Sequence, residues 1–283
     1  YSYDNFTGIR IMGVFQNNLL AGAAAAATAG GGAFYSHQIE QSIRFEKGAG
    51  DHLARTPSSA GNRRTWTWSC WFKRGFLGNT GTADMILFGA DAADGGATYT
   101  QLRILASNTP FDAFEFNGNG GVKISFSPLL RDVSGFYNFV VAVDTTQSTN
   151  TNRVKFYLNG VQITDTSTAT WMSQNADLQV NNTTEHQIGE LKYVGPYTTL
   201  DGYMADMVLI DGTALGPDSF GETKNGVWIP KDPSGLTFGT NGVYLKFENA
   251  SDLGNDSSGN NNDYSATNLG ADHQVLDSPT FGS

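Results

Sequence analysis

Cysteine is nearly missing from this chain. Cys70 stands alone, so no intrachain disulfide can form and no cysteine-based metal site exists. Charged side chains are also scarce, at 16%, and the acidic ones outnumber the basic ones, for a net charge of −10. A nucleic-acid groove needs a basic stripe to displace counterions, and this charge balance disfavours one. An anionic membrane surface is a poor partner for the same reason. No run of about eighteen apolar residues occurs, so no segment reads as a transmembrane helix. The stretch Leu19 to Gly32 superficially resembles the core of a signal peptide. It is rich in Ala and Gly rather than Leu, and the polar run Gln16-Asn17-Asn18 separates it from Arg10, so it reads as part of an arm. Amphipathic helical periodicity over ten or more residues is absent between the apolar clusters.

Glycine (34 residues) and aromatic residues (12%) are abundant. Gly, Asn, Thr and Ser between evenly spaced aromatic and β-branched clusters indicate short strands joined by turns. Residues 1–38 form a low-complexity arm whose Ala/Gly run cannot build a core. Residues 39–212 carry the regular strand signals. Thr65 to Lys73 alternates, with Trp66, Trp68, Cys70 and Phe72 on one face and Thr65, Thr67, Ser69 and Trp71 on the other. Asn138 to Val143 is apolar on both faces, as a buried strand is. Arg153 to Leu158 places Val154, Phe156 and Leu158 inward against Lys155 and Tyr157, and Asn159-Gly160 then predicts a hairpin with two residues at positive φ. The predicted core is Trp66, Trp68, Phe139, Val141, Val143, Phe156 and Leu158. Residues 213–283 read as a C-terminal appendage partly packed on the sandwich, with Val243 to Phe247 as a strand. The fold class predicted is all-β, an antiparallel sandwich.

Phe136 to Asp144 followed by Val154 to Gly160 resembles the signature of laminin-G-like, concanavalin A-like lectin/glucanase domains. Ile188-Gly189 and Leu200 to Ile210 resemble the closing strand of that family. Further stretches are similar to marine bacteriophage virion proteins that carry such a domain. They are Arg55 to Thr67, Ile210 to Leu215, Ser219 to Thr223, Asn241 to Phe247 and Asp256 to Asp263. The resemblance implies a jelly-roll β-sandwich with an extended N-terminal arm, displayed on a virion surface as a head decoration, head fibre or tail fibre. The resemblance does not hand over a ligand, and a host-surface glycan is the candidate. The apolar residues Phe6, Ile9, Ile11, Met12, Val14, Phe15, Leu19 and Leu20 of the arm point to other virion subunits as partners. A homo-oligomer, a trimer by analogy with phage fibres, is expected. The alternative is a dedicated carbohydrate-binding receptor module.

Enzymatic signals are weak. Glycoside hydrolysis needs two carboxylates flanking the scissile bond, which on one strand requires even spacing. The Glu-x-Asp-x-x-Glu strand of the family's hydrolases is absent. Glu185/Glu190 and Asp201/Asp206 are five residues apart, and Asp112/Glu115 three, so each pair falls on opposite faces of a regular strand. No Gly-x-Ser-x-Gly occurs, and His37, His52, His186 and His273 are isolated in sequence. No catalytic residue and no cofactor is expected. Sugar rings present apolar C–H faces to aromatic side chains, which makes Trp71, Trp171, Tyr193 and Tyr197 the candidate ligand-binding residues. Calcium is the one metal with a candidate set, Asp252, Asp256, Asn260 and Asp263, in a loop that lacks the EF-hand spacing. Asp- and Asn-rich turns also arise because those residues tolerate left-handed backbone geometry.

Overall fold

The computed structural model describes residues 34–75, 77, 84–92, 98–105, 112–191 and 200–280. Most of the predicted arm lies outside the described residues, as do Tyr193 and Tyr197. Two eight-stranded antiparallel sheets face each other. The first runs in the order β10 (Val161–Ile163), β9 (Val154–Leu158), β8 (Tyr137–Asp144), β3 (Thr65–Arg74), β13 (Gly202–Asp211), β1 (Ser42–Phe45) and β18 (Gln274–Val275). In this sheet β16 (Val243–Leu245) pairs with the second half of β13. The second runs β11 (Thr166–Thr170), β7 (Val122–Leu129), β6 (Ala113–Gly118), β5 (Tyr99–Ile104), β4 (Met85–Asp91), β12 (Glu185–Ile188), β2 (His52–Arg55) and β17 (Ser265–Thr267). A separate hairpin joins β14 (Gly221–Lys224) to β15 (Val227–Pro230). No helix among the described residues is long and apolar enough to cross a membrane.

Alternation carries the core. Trp66, Trp68, Phe139, Val141 and Val143 are fully buried and Phe156 is 1% exposed, while Leu158 is only partly buried at the end of its strand. Phe156 from the first sheet stacks on Phe114 from the second, with ring centroids 4.2 Å apart and planes 8° from parallel. Phe126 and Phe139 close around the pair at 5.1 and 5.7 Å from Phe156. Each buried ring contributes on the order of 1.5–3 kcal/mol through desolvation, and this cluster joins the two sheets. The Asn159-Gly160 turn has φ of 49° and 80°, as the hairpin signal predicts.

The outer face of the first sheet is covered by the C-terminal residues. Thr67 donates to the carbonyl of Thr213 and accepts from the Leu215 N–H. Val140, Val208, Ile210, Phe220, Phe238 and Tyr244 form a second apolar cluster there. Thr67, Ser69 and Trp71, expected on a freer face, are therefore buried. Residues 213–280 supply strands to both sheets, so the expected partial packing understates how far they are woven into the sandwich. His37, Ile39 and Ser42 lie beside the C-terminal end on this same side. Ile39 N–H donates to Thr280 Oγ1, and Ser278 and Thr280 hydroxyls donate to the Ile39 carbonyl.

Candidate functional site

The second sheet turns Leu102, Ile104, Phe114, Phe116, Ile124 and Ile188 into the core. Alternation then sends Tyr99, Gln101 and Arg103 of β5, Glu115 and Asn117 of β6, Lys123 and Ser125 of β7, and Glu185 and Gln187 of β12 to its outer face. Strand register lines these up in rows. One row reads Thr170, Lys123, Asn117, Gln101, Gly89 and Gln187 across six adjacent strands. The next holds Thr168, Ser125, Glu115, Arg103 and Ile86.

Glu115 is completely buried and anchors this face. Its Oε1 accepts from Arg103 Nε (2.9 Å), Arg103 Nη2 (2.5 Å) and Asn117 Nδ2 (3.0 Å), and its Oε2 accepts from Ser125 Oγ. Lys123 Nζ lies 3.5 Å from Oε2, and Arg103 Nη1 reaches Asp84 Oδ2 at 3.2 Å. A buried carboxylate is tolerable only when paired and hydrogen-bonded on both oxygens, as here. The Tyr99 hydroxyl donates to Asn117 Oδ1 at 3.1 Å. The result is a rigid field of planar amide, guanidinium and carboxylate groups.

Gln101, in the middle of the row, breaks the pattern. It is fully buried, and neither its Oε1 nor its Nε2 has a hydrogen-bond partner. Its neighbour across the strand is Gly89, where a Cβ would fall 2.9 Å from Leu191 Cδ1 and 3.0 Å from the Thr100 carbonyl. The missing side chain lets Leu191 settle against the sheet. At the other end the row opens to solvent, where Thr170 is exposed and the Lys123 side chain is 38% exposed. An unsatisfied buried amide costs about 1–3 kcal/mol, and native proteins keep few of them without a function or a bound molecule to explain them.

The residues singled out in sequence fall elsewhere. Trp71 is 6% exposed and is covered by Ile39, Phe136 and Trp228, so it has no face free for a sugar. Covering strands from the chain's own ends remove the exposure that alternation alone predicted. Trp171 is partly buried against the main core. Asp252, Asp256, Asn260 and Asp263 do share a loop, but its polar atoms are turned on one another. Asp256 accepts from the backbone N–H of Tyr244, Ser258 and Asn262 and from Ser258 Oγ, while Asp263 Oδ1 accepts from the Asp256 N–H. Asn260 points its amide N–H groups at the carbonyls of Gly239 and Gly242. Asp252 and Asp263 line a cavity of about 550 Å³ between this loop and β17. Among the described residues, no three His, Cys, Asp or Glu side chains are grouped to hold a metal ion.

The acidic pairs weighed for hydrolysis are dispersed. Asp112 pairs with Arg74 at 2.8 Å and Arg131 at 3.4 Å, away from the Glu115 network, and Glu190 faces His52 at 3.2 Å. One arrangement escaped sequence reasoning. Asp206, at a bulge in β13 with φ of 45°, accepts from the Tyr244 hydroxyl at 3.1 Å and meets His37 Nε2 at 2.7 Å. Burial opposes charging His37, but the hydrogen bond and charge of Asp206 outweigh it and raise its pKa. This cluster ties residue 37 to the outer face of the first sheet. Cys70 is fully buried, and burial pushes its thiol pKa well up, so it is not a nucleophile.

No protein-family model matches the sequence, and no curated protein matches it. Among solved structures, the chain is similar to a Bacteroides ovatus protein proposed to bind carbohydrate. That similarity has a TM-score of 0.53 and 13% identity, over 81% of this chain and 58% of the other. The chain thus spans less than two-thirds of that protein's length. A heptameric SAP-like pentraxin from Limulus polyphemus (TM-score 0.43, 16% identity, 64% of this chain and 80% of the other) is a more distant likeness. So are domains LG4-5 of the mouse laminin α1 chain (TM-score 0.41, 10% identity, 75% and 49%). At these identities the likeness is one of fold. The strand order and antiparallel pairing make the chain an all-β, antiparallel two-sheet sandwich.

Proposed function

We propose that this protein is a non-enzymatic, lectin-like module that binds a glycan on the outer face of its second sheet. The observation that carries this reading is Gln101, a fully buried amide with no partner, set beside the hydrogen-bonded Glu115 network. Sugar hydroxyls are paired donors and acceptors, and a carboxamide offers one of each. Tyr99 on the same face supplies a ring, and Asn117 beside it a second amide. Glu115, the most central acid of this face, has both oxygens occupied and is not placed to act as a general base.

The sequence likeness to phage virion proteins supports display on a particle, mounted through the N-terminal residues. The chain just after the arm is held over the first sheet by His37–Asp206 and by Ile39 with Thr280. An anchor there leaves the polar face of the second sheet pointing away from the particle. A glycan array probed with the whole chain tests the binding reading. Gln101→Leu removes an amide that makes no internal bond, so folding should be unchanged or firmer while glycan binding drops at least about tenfold. Equal binding by the native chain and this variant would sink the assignment of the site.

A further inference from the structure

On the outer face of the first sheet, away from Gln101, a cavity of about 230 Å³ opens between β8, β9 and the loop after β13. Ala142 lies at its floor, where strand pairing sets Lys155 beside it and Tyr157 beside Val140. The walls are fixed. Leu215 packs with Tyr157 on the second apolar cluster, and its N–H donates to Thr67. The turn after β8 is held by Asp144, which accepts from the Thr146 N–H and hydroxyl on Oδ1 and from Gln147 Nε2 on Oδ2. Arg153 braces the same turn by donating to the carbonyls of Gln147, Ser148 and Met172.

Lys155 is the anomaly in this frame. It is half-buried, yet among the described residues its ammonium has no partner, while the other lysines and arginines each have one. The chain has 27 acidic residues against 17 basic ones, so the lone cation is not for want of carboxylates. Partial loss of water without a counter-charge is a cost that a bound anion would offset. The Tyr157 hydroxyl makes no hydrogen bond either, and burial, with Asp218 adding, raises its pKa and keeps it a donor.

We infer that this cavity is a second ligand site, which takes a monocarboxylate no larger than one substituted six-membered ring. The volume matches roughly eight waters of bulk liquid and falls below the roughly 300–1,000 Å³ of drug-sized sites. Charge sets the class. Lys155 supplies one positive charge, while Asp144 lines the same cavity and Asp218 acts on Tyr157. One negative charge on the ligand is matched there and a second is repelled, so a phosphate, at about −1.5 to −2, is disfavoured. The Tyr157 ring and Leu215 suit the apolar faces of a small ring, and the Tyr157 hydroxyl and the exposed Asn152 amide suit its polar edge. Sugar acids and aromatic acids share this chemistry. The site lies on the opposite sheet from Gln101 and does not depend on the glycan reading above.

The test titrates the isotope-labelled full chain with glucuronate and with benzoate and reads amide NMR shifts. Each acid is paired with a neutral analogue, methyl glucuronate or benzamide, and inorganic phosphate serves as the more highly charged anion. At least one acid should shift β9 and residues 213–216 saturably, and bind at least about tenfold more tightly than its neutral analogue. Glucuronate alone would mark a sugar acid, benzoate alone an aromatic acid, and both together the shared carboxylate chemistry. Lys155→Met should weaken the acid about tenfold. Ala142→Leu keeps the charge but fills the floor, and should weaken it as much. Gln101→Leu should leave this binding unchanged, so a failure here leaves the glycan site standing. If a variant does not fold, the comparisons of acid with neutral analogue and with phosphate on the native chain decide the matter. No shift with either acid, neutral analogues bound as tightly, phosphate bound more tightly, or full binding by Lys155→Met would each overturn the proposal.

Discussion

Asp256 separates a structural loop from a calcium site, and the two make opposite predictions. Its side chain is 8% exposed. One oxygen accepts from the Tyr244 and Ser258 N–H groups at 2.9 Å each, and the other from Ser258 Oγ at 2.8 Å and Asn262 N–H at 2.9 Å. Tyr244 belongs to β16, which pairs with β13, so the loop pins a strand of the first sheet. Hydrogen bonds to a charged group contribute about 1.5–3 kcal/mol each, but bonds to one carboxylate do not add. Asp256→Ala should therefore cost about 3–5 kcal/mol, a large share of the roughly 5–15 kcal/mol that holds a domain folded. Asp256→Asn keeps the shape but turns an amide N–H toward the Asn262 N–H, and should cost about 1–3 kcal/mol. Urea unfolding measured in calcium and again in EDTA reads both. The structural role requires the same loss in either buffer and a native chain indifferent to EDTA. A native chain stabilised by calcium, with the Asp256→Ala penalty appearing only when calcium is present, would show that the carboxylate is a metal ligand and refute the reasoning.

The long, apolar or alternating strands were legible because their pattern is itself the burial pattern. Thr65 to Lys73, Asn138 to Val143, Arg153 to Leu158 and Tyr203 to Ile210 all became central strands of the first sheet. Strands β2 (HLAR), β12 (EHQI) and β11 (TSTAT) gave no comparable signal. They are short and polar, and pairing with a neighbour rather than any local periodicity holds them. The same cause hid the candidate site. Gln101 and Asn117 sit on different strands, and only the register between β5 and β6 makes them neighbours. Trp228 was equally silent in sequence. Its ring lies where a Cβ on Gly160 would sit 2.5 Å away, and its Nε1 donates to Asn138, so it locks the Asn159-Gly160 turn from above. Trp71 was misjudged in the other direction, since alternation shows which way a side chain points but not which later segment will cover it.

Two further perturbations probe the framework. Phe156→Ala removes the ring that joins Phe114, Phe126 and Phe139 across the sheets and should cost about 3–5 kcal/mol in urea unfolding, against about 1 kcal/mol for the half-buried Tyr157→Ala. Equal costs for the two would place the strand one residue out of register. His186 makes an acid-sensitive point in the core. It is 1% exposed, its Nε2 accepts the Asn181 N–H at 2.9 Å, and its Nδ1 donates to the Thr184 carbonyl at 2.8 Å. That pairing fixes the neutral tautomer, and burial lowers the pKa from 6.5 to about 4, with the Thr184 bond opposing and Arg55 adding slightly. A histidine whose pKa is depressed in the folded state stabilises fully above its unfolded value near 6.5. Below that, the unfolded chain takes up a proton that the folded chain refuses. Stability should therefore fall by about 3 kcal/mol between pH 6.5 and 4, with roughly 2 kcal/mol already lost at pH 5. His186→Gln still offers an oxygen to the Asn181 N–H but cannot titrate, so its unfolding free energy should lose this part of the slope. If the native chain and this variant show the same difference between pH 7 and pH 5, the histidine is not held neutral and the Asn181–His186–Thr184 chain of hydrogen bonds is not what orders this part of the core.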